Sequence, residues 1–254
     1  MIRPIIVMLA AAAPLMLGAK AGVAQEVGKP VAVVELFTSQ GCNSCPPADA
    51  FLGDLVERGD VVALAYHVDY WDYLGWQDTL ARPENTQRQR AYGRSFQAST
   101  IYTPQMVVNG RTHLAGSRRA AVTNAIEDRI DTAEGLSVGI SAKYEGDNLV
   151  IDTGADETGR RKAHVVLVNF DATHVVKVER GENRGKSLTY HNAVTAFQTV
   201  GVWKGKAARF ELPMSDIAGK GTGGCAVLLQ ETSASGLPGA ILGATIVNFS
   251  SDEW

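Results

Sequence analysis

Neither sign of charge dominates this sequence, whose formal net charge is -3 at pH 7. It carries no cationic field to gather nucleic acid or an anionic membrane, so neither partner is expected. Cysteine is scarce, with three in 254 residues. A structural zinc site takes about four ligands, and no second cysteine pair is present to complete one. No resident metal or other cofactor is expected. Long apolar runs are missing beyond the first two dozen residues, so the mature chain has no candidate for a membrane span of ~20 residues. Internal repeats and low-complexity tracts are missing too. What remains is an ordinary globular balance of 45% hydrophobic and 20% charged residues, long enough for one large domain or two small ones.

The N-terminus is different in kind. Arg3 is the only charge before Lys20, and Ile5-Ile6-Val7-Met8-Leu9 leads into an Ala-rich stretch ending in small residues at Ala19-Lys20-Ala21 or Gly22-Val23-Ala24. A basic start, a short apolar core interrupted by Pro14 and a small-residue site describe a cleavable secretory signal over residues 1–24. The mature chain is expected to begin between Ala21 and Glu26. No cysteine follows the apolar core, which disfavours a lipid anchor. An exported protein, periplasmic or extracellular, is expected, and disulfides persist in such compartments.

Val31 to Phe37 is an apolar run of the kind a buried parallel strand needs. Turn residues Thr38-Ser39-Gln40-Gly41 follow. Phe51, Leu52, Leu55 and Val56 then recur at helical spacing between Ala48 and Arg58, and Gly59-Asp60 closes the helix. Val61 to Tyr66 supplies a second strand, so the segment reads as a βαβ unit. The polar stretch from Gln77 to Ala98 reads as one or two surface helices. Asn109-Gly110, after Gln105-Met106-Val107-Val108, is a hairpin signal because both central positions of such a turn want positive φ. Ser117 is positioned to cap a helix running to about Ile130.

From Leu136 the period changes to strict alternation, with Leu136, Val138, Ile140 and Ala142 on one face. Further strands are expected at Leu149–Asp152, His164–Phe170, Val175–Glu179, Ala207–Leu212, Cys225–Gln230 and Ile241–Val247, separated by polar or glycine-rich turns. Short punctuated strands of this kind imply an antiparallel, sandwich-like β domain over residues 135–254. The boundary falls near Ala133-Glu134-Gly135.

Cys42-Asn43-Ser44-Cys45 carries the chemistry. Two cysteines three positions apart, between a strand and a helix, meet the positive end of the helix dipole and its free N–H groups. Both stabilise a thiolate, the species that attacks a disulfide. Cys42 is expected to be the exposed nucleophile and Cys45 the resolving thiol. Pro46-Pro47 suit a first helical turn with Ser44 as its cap. His67, Asp69, Tyr70, Trp71, Asp72, Tyr73 and Trp76 form a chemically dense run after the second strand, where ligand loops of open sheets often sit. His67, Tyr70 and Trp71 are candidates for a partner-facing wall, against the alternative of aromatic packing onto the core.

Val31 to Ile130 resembles the thioredoxin superfamily, on Cys42-Asn43-Ser44-Cys45, on Thr103-Pro104 and on the hairpin at Asn109-Gly110. The chain as a whole is similar to a family of exported thioredoxin-like proteins, a domain of unknown function, with a C-terminal β domain. Leu36-Phe37-Thr38-Ser39-Gln40-Gly41-Cys42, His67-Val68-Asp69-Tyr70-Trp71-Asp72 and Gly181-Glu182-Asn183-Arg184-Gly185 carry that match. The resemblance implies a thioredoxin-like domain over residues 25–134, a cis Thr103–Pro104 bond facing the motif, and Thr103 and Pro104 shaping the partner surface. Gly41, where a minimal thioredoxin has Trp, and the long path from Cys45 to Pro104 depart from that pattern.

The expected activity is thiol–disulfide exchange with protein thiols or disulfides, through Cys42, Cys45 and Pro104. A binding protein is the alternative. Its cysteine pair forms a structural disulfide, or carries copper(I) with His67 as a third ligand, since soft thiolates suit that ion. Gly181 to Ser187 fails as a phosphate loop, with three residues instead of four between its glycines and Arg180 before the first. Cys225 reads as a buried thiol in a strand.

Overall fold

Strand β1 (Ala32–Thr38) is buried at all seven positions, and its neighbours in sequence are arranged around it. It pairs in parallel with β2 (Val61–His67), from Ala32 opposite Val61 to Thr38 opposite His67, and antiparallel with β3 (Gln105–Val108). Helix α1 (Pro46–Arg58) makes the crossover between the two parallel strands, ending at Gly59 in the left-handed region. The computed structural model describes residues 29–249 except 131, 133 and 218–220. The expected signal over residues 1–24 and the expected mature start between Ala21 and Glu26 lie outside the described residues. No helix among the described residues is long and apolar enough to cross a membrane.

The remaining elements are α2 (Pro83–Ser95), β4 (Thr112–Ala115), α3 (Arg119–Glu127), β5 (Ile140–Glu145), β6 (Asn148–Thr153), β7 (Ala163–Lys177), β8 (Ser187–Trp203), β9 (Ala208–Pro213), β10 (Gly224–Thr232) and β11 (Pro238–Asn248). They form a mixed α/β architecture. One eight-stranded sheet runs β11-β10-β7-β8-β2-β1-β3-β4, and a smaller antiparallel sheet runs β5-β6-β9. Strands from both sides of the Ala133-Glu134-Gly135 boundary share the large sheet. The junction is a short parallel contact between β2 and β8, where Ala65 faces Ala193.

Alternation along β1 builds a core on each face of the sheet. Ala32, Val34 and Leu36 face α1 and α3, meeting Phe51, Leu52, Leu55, Val122 and Ile126. Val33 and Phe37 face the other way, onto Tyr92 of α2 and onto Val168, Phe170 and Leu228 of the C-terminal strands. The opposite face of those C-terminal strands packs on the small sheet, joining Val165, Leu167 and Val227 to Leu149, Ile151 and Leu212. The middle core therefore belongs to both halves of the chain.

Glu35 faces that middle core as well, and it is fully buried. A carboxylate there is tolerable only if it is paired and bonded. Arg88 of α2 donates from Nε to its Oε1 at 2.7 Å, and the Tyr92 hydroxyl donates to its Oε2. Arg88 also donates to Gln230 Oε1 at 3.0 Å, and Gln230 Nε2 donates to the Tyr92 hydroxyl at 2.7 Å. Burial works against the Arg88 charge, but the Glu35 carboxylate outweighs it and raises the guanidinium above its ordinary value.

Several expectations need correction. The helix in the 77–98 stretch exposes one face, at Glu84, Gln87, Arg90 and Arg94, but buries the other, at Asn85, Arg88, Gln89 and Tyr92. Its polar residues point inward because buried partners wait there: Asn85 donates to His67 O, and Gln89 Nε2 to Tyr102 O and Gln105 Oε1. Ser117 does not cap α3, whose N-cap position is Arg118, with no side-chain cap bond. Ser44 does not cap α1 either; Cys45 stands at that position, with proline in the first turn. The two strands expected between His164 and Glu179 are one, β7. The longest strand, β8, has no counterpart among the expected strands. Asn109 and Gly110 both have positive φ, 50° and 62°, as the hairpin signal requires. Ile140, Ala142 and Tyr144 alternate with exposed Ser141, Lys143 and Glu145, as the period implies.

Arg88→Met should lower the free energy of unfolding in urea by about 3–5 kcal/mol, because it strands a buried carboxylate. Glu35→Leu combined with Arg88→Met should lose far less. A double variant no more stable than Arg88→Met would show that the pair is not what holds α2 in place.

Candidate functional site

Cys42 and Cys45 form a disulfide with Cα atoms 5.4 Å apart. The chain reaches it through tight turns. Cys42 N–H donates to Ser39 O at 3.1 Å and Cys45 N–H to Cys42 O at 3.2 Å. Cys45 O then accepts from Ala48 N–H and Asp49 N–H at 2.8 and 3.1 Å, which begins α1. The sulfurs therefore sit at the positive end of that helix, where a thiolate is favoured. Proline in the first turn costs nothing there, because those N–H groups have no helical acceptor. Cys42 is 2% exposed and Cys45 is 0% exposed, so the first cysteine is not the exposed group that its position in the motif led us to expect.

Three segments hold the motif. The first is the 67–80 stretch after β2. Gln40, fully buried, donates its N–H to Asp78 Oδ2 at 2.8 Å, and its Oε1 accepts from Trp76 Nε1 at 2.8 Å. Trp71 packs so close to Gly41 that a Cβ there would lie 3.1 Å from the Trp71 Cβ, a reason for glycine at this position. The second segment is the turn before β3. Thr103–Pro104 is cis, and Thr103 Oγ1 accepts from Trp71 Nε1 at 2.7 Å. Trp71 thus links the cysteine loop to the proline turn. Tyr70 packs against the middle core with its ring centroid 5.9 Å from that of Trp71.

The third segment comes from the C-terminal half. Asn183, in the loop between β7 and β8, donates to Gln40 O and to Cys42 O, each at 2.9 Å, and is itself fully buried. Lys186 Nζ donates to Asn183 Oδ1 at 2.9 Å. Nothing in the residues alone assigns Asn183 this place, although the segment Gly181 to Gly185 was prominent in the family resemblance.

Beneath the disulfide lies a buried polar cluster. His67 Nδ1–H donates to Asp78 Oδ2 at 2.8 Å, with both side chains fully buried. Burial pulls the His67 imidazole down, but the Asp78 carboxylate outweighs it and raises it from 6.5. Burial works against the Asp78 carboxylate; His67 and the N–H groups of Gln40 and Leu80 outweigh it and hold it below its ordinary value. His67 is therefore a partner of Asp78 inside the fold rather than part of an exposed wall. Among the described residues, no three His, Cys, Asp or Glu side chains stand close enough to hold a metal ion.

Asp49 belongs to the same cluster and lies one helical turn beyond Cys45. Thr38 Oγ1 donates to its Oδ1 at 2.6 Å, while Oδ2 is buried with no hydrogen-bond partner among the described residues. Burial pushes the Asp49 carboxyl up to about 7; the Thr38 bond and His67 offset part of that rise. The Tyr190 hydroxyl and His67 Nε2 are likewise buried without partners, and the Tyr190 ring lies 4.6 Å from that of His67. A groove of about 440 Å³ between α1 and the start of β8 opens beside this cluster, lined by Pro46, Asp49, Asp54, Glu57 and His191. Cys225 lies elsewhere, in β10, where burial pushes its thiol up to about 12.

Residues 33–230 match the family described as "Protein of unknown function (DUF1223)". The chain belongs to that family. The DUF1223 match takes in all three segments around the disulfide. Protein AGR_C_4864 from Agrobacterium tumefaciens, known from an X-ray crystal structure, is 44% identical. It aligns over 89% of this chain and 98% of its own, with a TM-score of 0.80. HBP35 of Porphyromonas gingivalis is 12% identical over 88% of this chain and 76% of its own, with a TM-score of 0.59, a likeness of fold alone. No curated protein matches the chain.

An aspartate held above its ordinary 3.8 binds its proton more tightly folded than unfolded. The stability tied to that proton is complete below about pH 4 and is lost as pH rises through about 7. Asp49→Asn removes the linkage. Between about pH 5 and about pH 8 the wild type should lose a few kcal/mol of unfolding free energy that the variant keeps. Parallel stability–pH curves for the two proteins, from urea unfolding, would contradict this account of Asp49.

Proposed function

We propose that this DUF1223 protein is an extracytoplasmic thiol–disulfide oxidoreductase with a thioredoxin-like N-terminal region. Cys42 is its nucleophile, Cys45 its resolving thiol, and protein thiols or disulfides are its partners. The observation that carries the reading is the Cys42–Cys45 disulfide at the N-terminal end of α1, with the buried, half-satisfied carboxyl of Asp49 one turn further on. The signal-like N-terminus supports export, and exported compartments are where such a couple cycles.

In the reduced protein the Cys42 thiolate attacks one sulfur of a partner disulfide. A mixed disulfide forms and one partner thiolate leaves. Cys45 Sγ then attacks Cys42 Sγ, which closes the Cys42–Cys45 bond and expels the second partner thiolate. The partner gains two electrons and this protein loses them; with a partner dithiol the same steps run backwards. Cys45 must lose a proton before it attacks, and Asp49 is the group we assign to take it. A carboxyl near 7 accepts and returns a proton at neutral pH, and Asp49 stands in the wall of the groove between α1 and β8. Thr103 and Trp71, both partly exposed and joined by a hydrogen bond, are the residues we assign to the partner-facing surface, with buried Pro104 setting the turn behind them.

The near-complete burial of Cys42 favours a second reading, a binding protein in which the disulfide is structural. Alkylation and trapping separate the two. If the exchange reading is right, Cys42 in the reduced protein reacts with an alkylating reagent at mildly acidic pH much faster than Cys45 or Cys225. Cys45→Ser should accumulate mixed disulfides with proteins of its compartment, and Cys42→Ser should accumulate none. A Cys45→Ser protein that captures nothing, with Cys42 titrating near the ordinary ~8.5, would leave the structural disulfide in its place.

A further inference from the structure

The loop between β7 and β8 is mostly exposed: Glu182, Arg184, Gly185 and Lys186 all face solvent. Val178, directly after β7, is buried, and so is Asn183. Its side chain is turned wholly inward, and both amide donations go to the backbone of the cysteine loop, at Gln40 O and Cys42 O. Burying an amide is unfavourable unless its donors find acceptors, so this contact has strict geometric terms. The loop is built to meet them. Gly185 N–H donates to Val178 O at 2.8 Å and Lys186 N–H to Asn183 O at 3.1 Å, which braces the turn from within. Gly181, with φ +72°, turns the chain so closely against Trp76 that a Cβ there would lie 3.2 Å from the Trp76 Cβ. Trp76 itself donates to Gln40 Oε1. The exposed loop is therefore fastened to the 40–42 backbone at two points.

We infer that Asn183 is a positioning residue of the Cys42–Cys45 pair, and that the loop it anchors is a cover a partner must displace to reach Cys42. This gives the C-terminal half a task at the N-terminal site. It deepens the oxidoreductase reading and also accounts for a motif that is intact yet closed. Displacing residues 182–186 breaks these two hydrogen bonds and exposes a segment that, Asn183 apart, already faces solvent, so it is a local opening rather than global unfolding. Lys186, free to follow Asn183 outward, holds the side chain's remaining polar atom.

The test is the rate at which dithiothreitol reduces the disulfide in the full chain, measured at several low urea concentrations. Asn183→Ala removes both donations. Asn183→Asp keeps the shape and the Lys186 contact but also removes both. Each should be reduced about tenfold faster than wild type or more, the scale set by two lost hydrogen bonds. The rates should be nearly flat in urea, the mark of local opening. Rates within about threefold of wild type for both variants would overturn the inference. So would an Asn183→Asp protein as slow as wild type beside a fast Asn183→Ala, since packing rather than donation would then be the anchor. Acceleration that climbs steeply with urea would also overturn it. The readout is access to a small reductant, independent of any natural partner. A chain that traps no partner but opens when Asn183 is lost fails the oxidoreductase reading and keeps Asn183 as the anchor of the closed loop.

Discussion

Glu35 sits in the middle of β1 with its carboxylate inside the core, and everything around it is arranged to meet that charge. Arg88 must reach it, so α2 lies against the sheet with a polar face turned inward. Arg88 and the Tyr92 hydroxyl in turn bond Gln230 of β10, so the same network ties the first strand to the C-terminal strands. Breaking such a network is far more costly than never having built it, because each member depends on the others for its desolvated partners. The pair therefore does more to define the position of the two halves than to add net stability. The apolar surfaces of Val33, Phe37, Val168 and Leu228 then close around it.

The same logic operates at the disulfide on a smaller scale. Gln40, Asp78, His67 and Asn183 are all buried polar side chains, and each places a hydrogen bond on the cysteine loop or on a group that does. Hydrogen bonds of this kind are directional, so they hold a loop in one conformation where apolar packing alone would allow several. Asp49, like His67 at Nε2, is only partly bonded. One of its oxygens is satisfied by Thr38 and the other is not, which leaves a carboxyl whose proton is held near neutral pH. An incompletely bonded acid one helical turn beyond Cys45 suits the proton-coupled exchange proposed above.

Much of this was legible in the residues. The apolar run Val31–Phe37, the turn at Thr38–Gly41 and the helical spacing of Phe51, Leu52 and Leu55 place the cysteine pair between a strand and a helix, where the structure has it. Asn109-Gly110 marks its turn because two adjacent positive φ values leave few residue choices. β8 was illegible for a physical reason. It serves different cores along its length, and Asn192, at φ 47°, interrupts it near the point where it meets β2, so no single alternation spans it. The inward polar face of α2 reads as a solvated face from its residue types, since its partners, the Glu35 carboxylate, His67 O and Gln105 among them, lie elsewhere in the sequence. Asn183 and Cys42 are 141 positions apart, and no local pattern joins them. Asp49 looks like an acid favouring a helix N-terminus; its burial depends on β2 and β8 coming to rest beside α1.

The central claim is that Cys42–Cys45 is a working redox couple held in a closed frame. Equilibrating the full chain with glutathione redox buffers and counting the oxidised fraction measures its reduction potential directly. The account predicts a reversible two-electron transition at a potential above about −300 mV, within the range of catalytic couples. A potential below about −300 mV, beyond the reach of the glutathione pool, would make the disulfide a structural bond and contradict the claim.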